Sequence, residues 1–291
     1  MNKYRIVTDA TADLPQELVE SMGISVIPME CRLNEQTFIY EPTGKYLKPE
    51  AFYAQMREGA STATSQINVF AYVTHFEPIL QAGEDILYIA FSSALTGSQQ
   101  SAVIAVQELE AKYPGRKISM IDSLCASLGE GLMVYAAAKK QEEGLNLEAL
   151  SQWVTDNRLN LCHWFTVDDL AYLARGGRLS ATSAFLGTAL RIKPVLHVDN
   201  AGRLVPLEKV QGRKRSLKGL VEQMEKQYTP ESNDIVFIGH ADSAEDAEYV
   251  RQLVEERMGV KNFLVYFIGP IVGAHSGPGT IALFHFGKSR S

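Results

Sequence analysis

Four hydroxyl side chains, Ser92, Ser93, Thr96 and Ser98, crowd into seven residues, with the small Ala94 and Gly97 among them. An apolar run, Asp85 to Phe91, leads in, and a helical pattern from Ser101 to Lys112 leads out. The spacing predicts a strand, a tight turn and the start of a helix. Such a turn offers backbone N–H groups and the positive end of a helix dipole, so its natural guest is an anion. A lone Ser or Thr there is an ordinary helix cap. The clustering points instead to a ligand, either a carboxylate or the phosphate of a small molecule cradled at Thr96–Ser98.

Three other stretches carry chemistry of the same kind. Asp9-Ala10-Thr11-Ala12-Asp13 closes a short apolar strand, and Ala63-Thr64-Ser65-Gln66 is a further hydroxyl-rich turn. Gly269 to Thr280 holds four glycines and two prolines in twelve residues, with His275 and Ser276 in the middle. That composition predicts an irregular loop. An imidazole there can face a ligand across a domain cleft, and partial positive charge would strengthen its bond to a carboxylate. No lysine or arginine lies within these turns, so the expected donors are neutral, able to hold an acid and still let it transfer.

Other chemistries lack their residues. Ala90-Phe91-Ser92-Ser93-Ala94 has none of the glycines of a nucleophile elbow, and no phosphate-binding G-x-x-x-x-G-K-[ST] occurs. His275 and His285 do not have a metal-ligand spacing. No catalytic residue and no metal site is assigned. Lys209, Arg213, Lys214, Arg215 and Lys218 form a basic cluster, either a solvated helix face or a docking patch for an acidic partner.

The elements that must position these groups alternate. Strands near Arg5–Thr8, Ser25–Pro28, Asp85–Phe91 and Lys117–Ile121 are separated by helical patterns, which predicts parallel strands with helical crossovers. Ligands of such sheets sit at the carboxyl ends of the strands, near a switch in strand order, so the hydroxyl turns are expected to share one crevice. After about residue 160 the pattern changes. Asp199-Asn200-Ala201-Gly202 is a hairpin signal between two apolar runs, and strand–helix units follow. The expectation is an α/β protein of two domains. Residues 1–158 form a three-layer domain on a parallel sheet, and residues 159–291 form an α/β domain on a mixed sheet.

The length of 291 residues suits two domains. A formal net charge of −6 argues against a general nucleic-acid or anionic-membrane binder. Three separated cysteines, no leader-like N-terminus and no run long enough to span a membrane fit a cytoplasmic protein.

Several stretches, in order along nearly the whole chain, resemble the bacterial DegV family of fatty-acid-binding proteins. They are Val7 to Leu14, Thr64-Ser65-Gln66, Ser92 to Ser98, Ile121-Asp122-Ser123, Leu173 to Ser180, Lys193 to Leu196, and Gly269-Pro270 through His275 to Thr280. The resemblance implies two α/β domains with a long-chain fatty acid, such as palmitate or oleate, buried between them. It implies that Thr64 and Ser92 or Ser93, Ser93 by preference, hold the carboxylate, with His275 close by. Thr96, Gly277 and Thr280 join them as candidate ligand-binding residues. It implies no cofactor and no activity of the chain alone. Some members present the bound acid to a fatty-acid kinase subunit, for which Arg213, Lys214 and Arg215 are the candidate docking residues. Two positions depart from the pattern: Ala10 replaces the second hydroxyl of Thr-Asp-Ser, and Gln211 stands where kinase-partnered members have Arg.

Overall fold

The computed structural model describes residues 3–42, 47–179 and 192–290. Ser180, the end of the family-like stretch Leu173 to Ser180, lies outside them. The chain begins β1 (Tyr4–Asp9), a 3-10 turn (Ala10–Ala12), α1 (Gln16–Ser21), β2 (Ser25–Ile27), β3 (Met29–Leu33), β4 (Gln36–Tyr40), α2 (Pro49–Arg57), β5 (Thr62–Thr64) and α3 (Val69–Gln81). It continues through β6 (Asp85–Ala90), α4 (Ser98–Lys112), β7 (Ile118–Asp122), α5 (Leu128–Glu142), α6 (Leu147–Asn157), β8 (Leu161–Thr166) and α7 (Leu170–Arg175). It ends with β9 (Ile192–Val198), β10 (Leu204–Gln211), α8 (Arg213–Gln227), β11 (Val236–His240), α9 (Ala244–Met258), β12 (Phe263–Phe267), α10 (Pro270–Ser276) and β13 (Ile281–Phe286).

Three sheets organise these elements. The first is parallel, in the order β2-β1-β6-β7. Every residue of β6 is buried, as expected for a strand covered on both faces by helices, here α3 with α4 and α5 with α6. From β1 the chain steps outward to β2, then returns to place β6 on β1's other side, so the strand order switches between β1 and β6. The second sheet is mixed, in the order β10-β9-β8-β13-β11-β12, with only β11 and β12 parallel. A small antiparallel sheet, β4-β3-β5, carries the Thr64 turn and pairs Cys31 with Thr64.

Helix α5 joins the two large sheets. It packs on β1 and β6 of the parallel sheet and on β8, β11 and β13 of the mixed one. Glycines make this approach possible. A Cβ at Gly131 would lie 2.5 Å from the Ala12 carbonyl oxygen, and one at Gly129 would lie 2.2 Å from His163 Nε2. One buried apolar cluster therefore runs from Ile6 and Ile89 through Leu132 to Phe237 and Phe284. A second lies beyond the mixed sheet, under α8 and α9.

Two local expectations are corrected. The glycine-rich segment is not a loop throughout, because Pro270 to Ser276 forms α10. Pro270 sits at its first turn, where a missing N–H loses nothing, and Gly277 ends it at φ 81°, in the left-handed region. Helix α4 starts at Ser98 rather than Ser101, so Thr96 and Ser98 stand at its very beginning.

Candidate functional site

A cavity opens at the carboxyl ends of β1 and β6, where the strand order switches, and is closed from the other side by β8, β13 and α10. Its walls are mainly apolar: Phe91, Phe165, Leu204, Ile268, Ile271 and Phe284. Polar groups gather in two places. Thr64, Thr96, Ser98, Arg178, His275 and Ser276 form one group, and Asp9, Thr11, Ser127 and His163 form the other.

The first group is held by elements far apart in sequence. Thr64, the last residue of β5, lies with its Oγ1 2.8 Å from His275 Nε2. His275 sits in the last turn of α10, which is locked in place by Tyr53 donating to the Ile268 carbonyl at 2.6 Å. Gly176 lets the imidazole come close, since a Cβ there would lie 2.6 Å from His275 Nδ1. Burial, with the nearby Arg178 charge, pushes the His275 pKa down to about 4. The imidazole is therefore neutral at physiological pH, not partly positive as expected from the sequence. The cation at this end is Arg178, whose Nε donates to the Leu95 carbonyl at 3.3 Å and whose Nη1 donates to the Gly176 carbonyl.

Counting protons shows what this end can still bind. A neutral imidazole can donate through Nε2 to Thr64, which leaves the Thr64 hydroxyl proton free. Thr96 and Ser98 hydroxyls lie 3.0 Å apart, and each also accepts from a backbone N–H, of Ser98 and Ile67 respectively. One of their two protons is used between them and the other is free. The Ser276 hydroxyl is buried without a hydrogen-bond partner. These groups can donate to an anionic oxygen with no internal bond lost.

The residues singled out from the sequence fall into two groups. Thr64, Thr96, His275 and Thr280 line the cavity. The Thr280 hydroxyl, however, is turned to the carbonyls of Ser276 and Gly277, at 3.0 and 2.9 Å. Ser92, Ser93 and Gly277 are not in the lining. Ser92 is fully buried and donates to the Gly202 carbonyl at 2.8 Å, tying the β6–α4 turn to the β9–β10 hairpin. Ser93 is exposed, its N–H 3.3 Å from Asp122 Oδ1, in a surface groove that adjoins the cavity through Leu95, Thr96 and Arg178. Gly277 packs under Tyr172, whose ring leaves no room for a Cβ. The expected shared crevice also omits Asp122-Ser123, where Ser123 is buried and caps the Cys125 N–H at 3.0 Å.

The three basic candidates also separate. Arg213 is turned inward, donating to Asp246 at 2.8 Å and to the Gly279 carbonyl at 2.5 Å, with Asp168 at 3.5 Å. It braces the segment that carries His275. Lys214 is exposed, and Arg215 is exposed and 3.5 Å from Glu222. Among the described residues no cluster of three or more His, Cys, Asp or Glu could hold a metal, and no helix is long and apolar enough to cross a membrane.

Sequence reasoning gave no binding role to Arg178, Ser276, Ser127 or His163. Arg178, in the run Arg175-Gly176-Gly177-Arg178, reads from the sequence as a solvated charge or as part of a docking patch for an acidic partner. Its signal is the adjoining double glycine, which lets chain segments approach closely.

A model of the DegV family, described as uncharacterised, matches residues 3–288. A DegV domain-containing protein of Clostridium perfringens is 42% identical over 290 residues, covering 100% of this chain and 99% of the relative. A Thermus thermophilus structure described as fatty acid binding by a DegV family protein superposes with a TM-score of 0.86 at 29% identity, covering 99% of this chain and 100% of that one. A stearic-acid-binding protein from Eubacterium ventriosum superposes with a TM-score of 0.87 at 25% identity, covering 98% of each chain.

Proposed function

This chain belongs to the DegV family, and from that premise we propose that it binds one long-chain fatty acid, such as palmitate or oleate, in the cavity between its two large sheets. The carboxylate is held by the hydroxyls of Thr64 and Thr96, with His275 orienting Thr64, Ser276 within the same wall and the Arg178 charge nearby. Thr280 and Gly277 shape the wall and the end of α10. Ser92 acts indirectly, by fixing the turn that presents Thr96. The hydrocarbon lies along Phe91, Phe165, Ile268 and Phe284. The observation that carries this reading is the Thr64–His275 pair, 2.8 Å apart, set in a largely apolar cavity with donor protons to spare.

The energetics divide between tail and head. Burying about 15 methylenes stabilises the complex by roughly 12 kcal/mol, at ~0.8 kcal/mol each. Association entropy and immobilisation of the chain offset much of this. The tail supplies affinity, and the head supplies orientation. A carboxylate in an apolar cavity must find donors, and neutral hydroxyls provide them without fixing the acid in an ion pair.

In this reading the protein is a carrier with no catalysis of its own, needs no cofactor and works in the cytoplasm. Residues 1–158 and 159–291 supply the two walls. Presentation of the acid to a fatty-acid kinase subunit would use the exposed Lys214 and Arg215 rather than Arg213, next to Gln211 at the family's arginine position. Organic extraction and mass spectrometry of the purified chain test the reading. A long-chain acid near one per chain, or its uptake when offered, is expected. A chain that carries none and takes up none refutes it.

A further inference from the structure

The second polar group of the cavity contains a hydrogen-bonded chain that the binding of a carboxylate head does not use. It runs through Tyr72, Tyr88, Asp9, Thr11, Glu130 and Thr8, all of them buried. Tyr72 and Tyr88 hydroxyls are 2.9 Å apart, and Tyr88 is 3.1 Å from Asp9 Oδ2. Thr11 Oγ1 contacts Asp9 Oδ1 and lies 2.8 Å from Glu130 Oε2. Thr8 Oγ1 is 2.8 Å from Glu130 Oε1 and 3.0 Å from the Ile89 carbonyl oxygen.

Proton bookkeeping constrains the charge of this chain. The Ile89 oxygen can only accept, so Thr8 donates to it. Thr8 then has only lone pairs for Glu130 Oε1, and that contact requires a proton on Glu130. Thr11 has one proton for two carboxyl oxygens. It can serve only one, so the other acid must bring a proton to Thr11; Asp9 also accepts from the Thr11 N–H at 3.1 Å and the Phe91 N–H at 3.4 Å. Tyr72 donates to Tyr88, and Tyr88 to Asp9 Oδ2. Each proton is then used once and every contact is satisfied. With neither acid protonated, Thr11 faces two carboxylates and can serve only one.

Among the described residues no cation is bonded to the pair; the Cys125 thiol that acts on Glu130 accepts from the buried Arg290 guanidinium at 3.1 Å. The titratable groups that act on the pair are Tyr88 from β6, Tyr72 from α3, Asp13 from the turn after β1 and the Cys125 thiol. Among the described residues no lysine, arginine or histidine contributes to either acid. Burial pushes both carboxyls up, and it raises Asp13, which accepts from Ser127 at 2.5 Å, to about 8. Across the cavity, His275 is neutral and Arg178 is the nearby charge. Asp9 and Thr11 line the same cavity as Thr64 and His275.

We propose that Asp9 and Glu130 hold at least one shared proton and that this proton couples the cavity's grip on a carboxylate ligand to pH: the acid anion binds while the pair is protonated and is released as the pair ionises. The coupling rests on the fatty-acid reading above. Its physical basis is like-charge repulsion in a poorly screened cavity, which weakens anion binding roughly tenfold for charges about 10 Å apart at an effective dielectric near 20. By linkage, a ligand anion that favours the protonated pair must take up protons as it binds.

Calorimetric titration of decanoate into the full chain, in buffers of different ionisation enthalpy, reads that uptake directly. The wild type is expected to take up a fraction of a proton per acid bound in the pH range, above that of an ordinary carboxyl, over which the pair ionises, and its affinity to fall roughly tenfold across that range. The D9N/E130Q double variant, which cannot ionise at either position, should take up none from this pair and lose most of the pH dependence. D13N should keep the uptake, and decanol, which carries no charge, should show no pH dependence. Equal uptake in wild type and D9N/E130Q, or uptake abolished only by D13N, overturns the proposal. Binding of decanoate without proton uptake overturns it alone, whereas no binding of decanoate or palmitate at any pH overturns the fatty-acid reading with it. Should the double variant not fold, infrared spectroscopy of D13N, which lacks the other buried acid, decides. A protonated-carboxyl band that persists near neutral pH in D13N and shifts in heavy water supports the pair, and its absence refutes it.

Discussion

The cavity has two polar regions built from the same kinds of residue, and they differ in what remains unused. Around Thr64, Thr96 and Ser276, hydroxyl protons are left over once internal bonds are counted. Around Thr8, Thr11 and Tyr88, every hydroxyl proton is consumed within the protein. Spare hydroxyl protons therefore mark the first region; the second keeps only a ring nitrogen unpartnered, His163 Nδ1, while His163 Nε2 accepts from the Ala126 N–H at 3.3 Å. The first region also has Arg178 close at hand, while among the described residues no cation is bonded to the carboxyls of the second. An anion is welcome in one and is repelled by the other once its carboxyls ionise.

The largest effect should come from removing a spare donor. Thr64→Val keeps the shape, deletes the hydroxyl and strands the neutral His275 Nε2. Acid affinity should fall about 10- to 100-fold, the ~1–3 kcal/mol of a lost buried hydrogen bond, with the melting temperature little changed. Thr96→Val should behave alike, and equilibrium binding of a labelled acid measures both. If Thr64→Val binds as tightly as wild type, the contrast between the two regions is drawn in the wrong place.

Gly176→Ala comes next. The new methyl would collide with His275 Nδ1 at 2.6 Å, so the imidazole must shift away from Thr64. About a tenfold loss of affinity is expected, consistent with a displaced rather than deleted partner. Unchanged binding together with an unchanged His275 proton resonance would show that the glycine is not needed for the approach.

Stability on the acid side should reflect buried neutral histidines. His275 and His285 are both pushed down to about 4 by burial. An unfolded histidine titrates near 6.5, so it binds its proton before the folded one does. Stability from this source is present above about pH 6.5 and is lost as pH falls toward 4. His285, which accepts from Trp164 Nε1 at 3.3 Å deep in the mixed sheet, lies outside the cavity. Bound acid should therefore protect against only part of the loss. Chemical denaturation across that range, with and without palmitate, separates the two. The smallest effect belongs to Ser93→Ala, an exposed position, where affinity and stability should stay within about 0.5 kcal/mol of wild type. A clear loss there would move the head group to the outer groove.

Much of this arrangement was legible because it is local. Strand, hydroxyl turn and helix follow one another within about fifteen residues at Asp85–Ser98, and their order carries the parallel sheet and the position of its ligand crevice. The hairpin at Asp199–Gly202 is equally local. What failed was direction. Adjacent serines in a turn point different ways, and only the fold decides that Ser92 meets Gly202, Ser93 meets solvent and Thr96 meets the cavity. Helix α10 was hidden by its glycines, which lower helix propensity until tertiary contacts such as Tyr53 on Ile268 override it.

Long-range pairs were out of reach for a different reason. Thr64 and His275 are separated by 211 residues, and no spacing rule links them. Glu130 reads as the polar side of an amphipathic helix, yet α5 lies between two sheets and has no solvent side at that point. Arg213 reads as part of an exposed basic run. It is drawn inward by Asp246 and the Gly279 carbonyl, a partnership visible only once α8 is packed beside the glycine-rich segment.

Carbon NMR of carboxyl-labelled palmitate bound to the chain tests the placement of the head group most directly. A single bound carboxyl resonance is expected, one that does not titrate with the free acid, moves in Thr64→Val and Thr96→Val, and stays put in Ser93→Ala. A resonance that titrates like free acid, or that responds to Ser93→Ala and ignores Thr64→Val, would contradict the account.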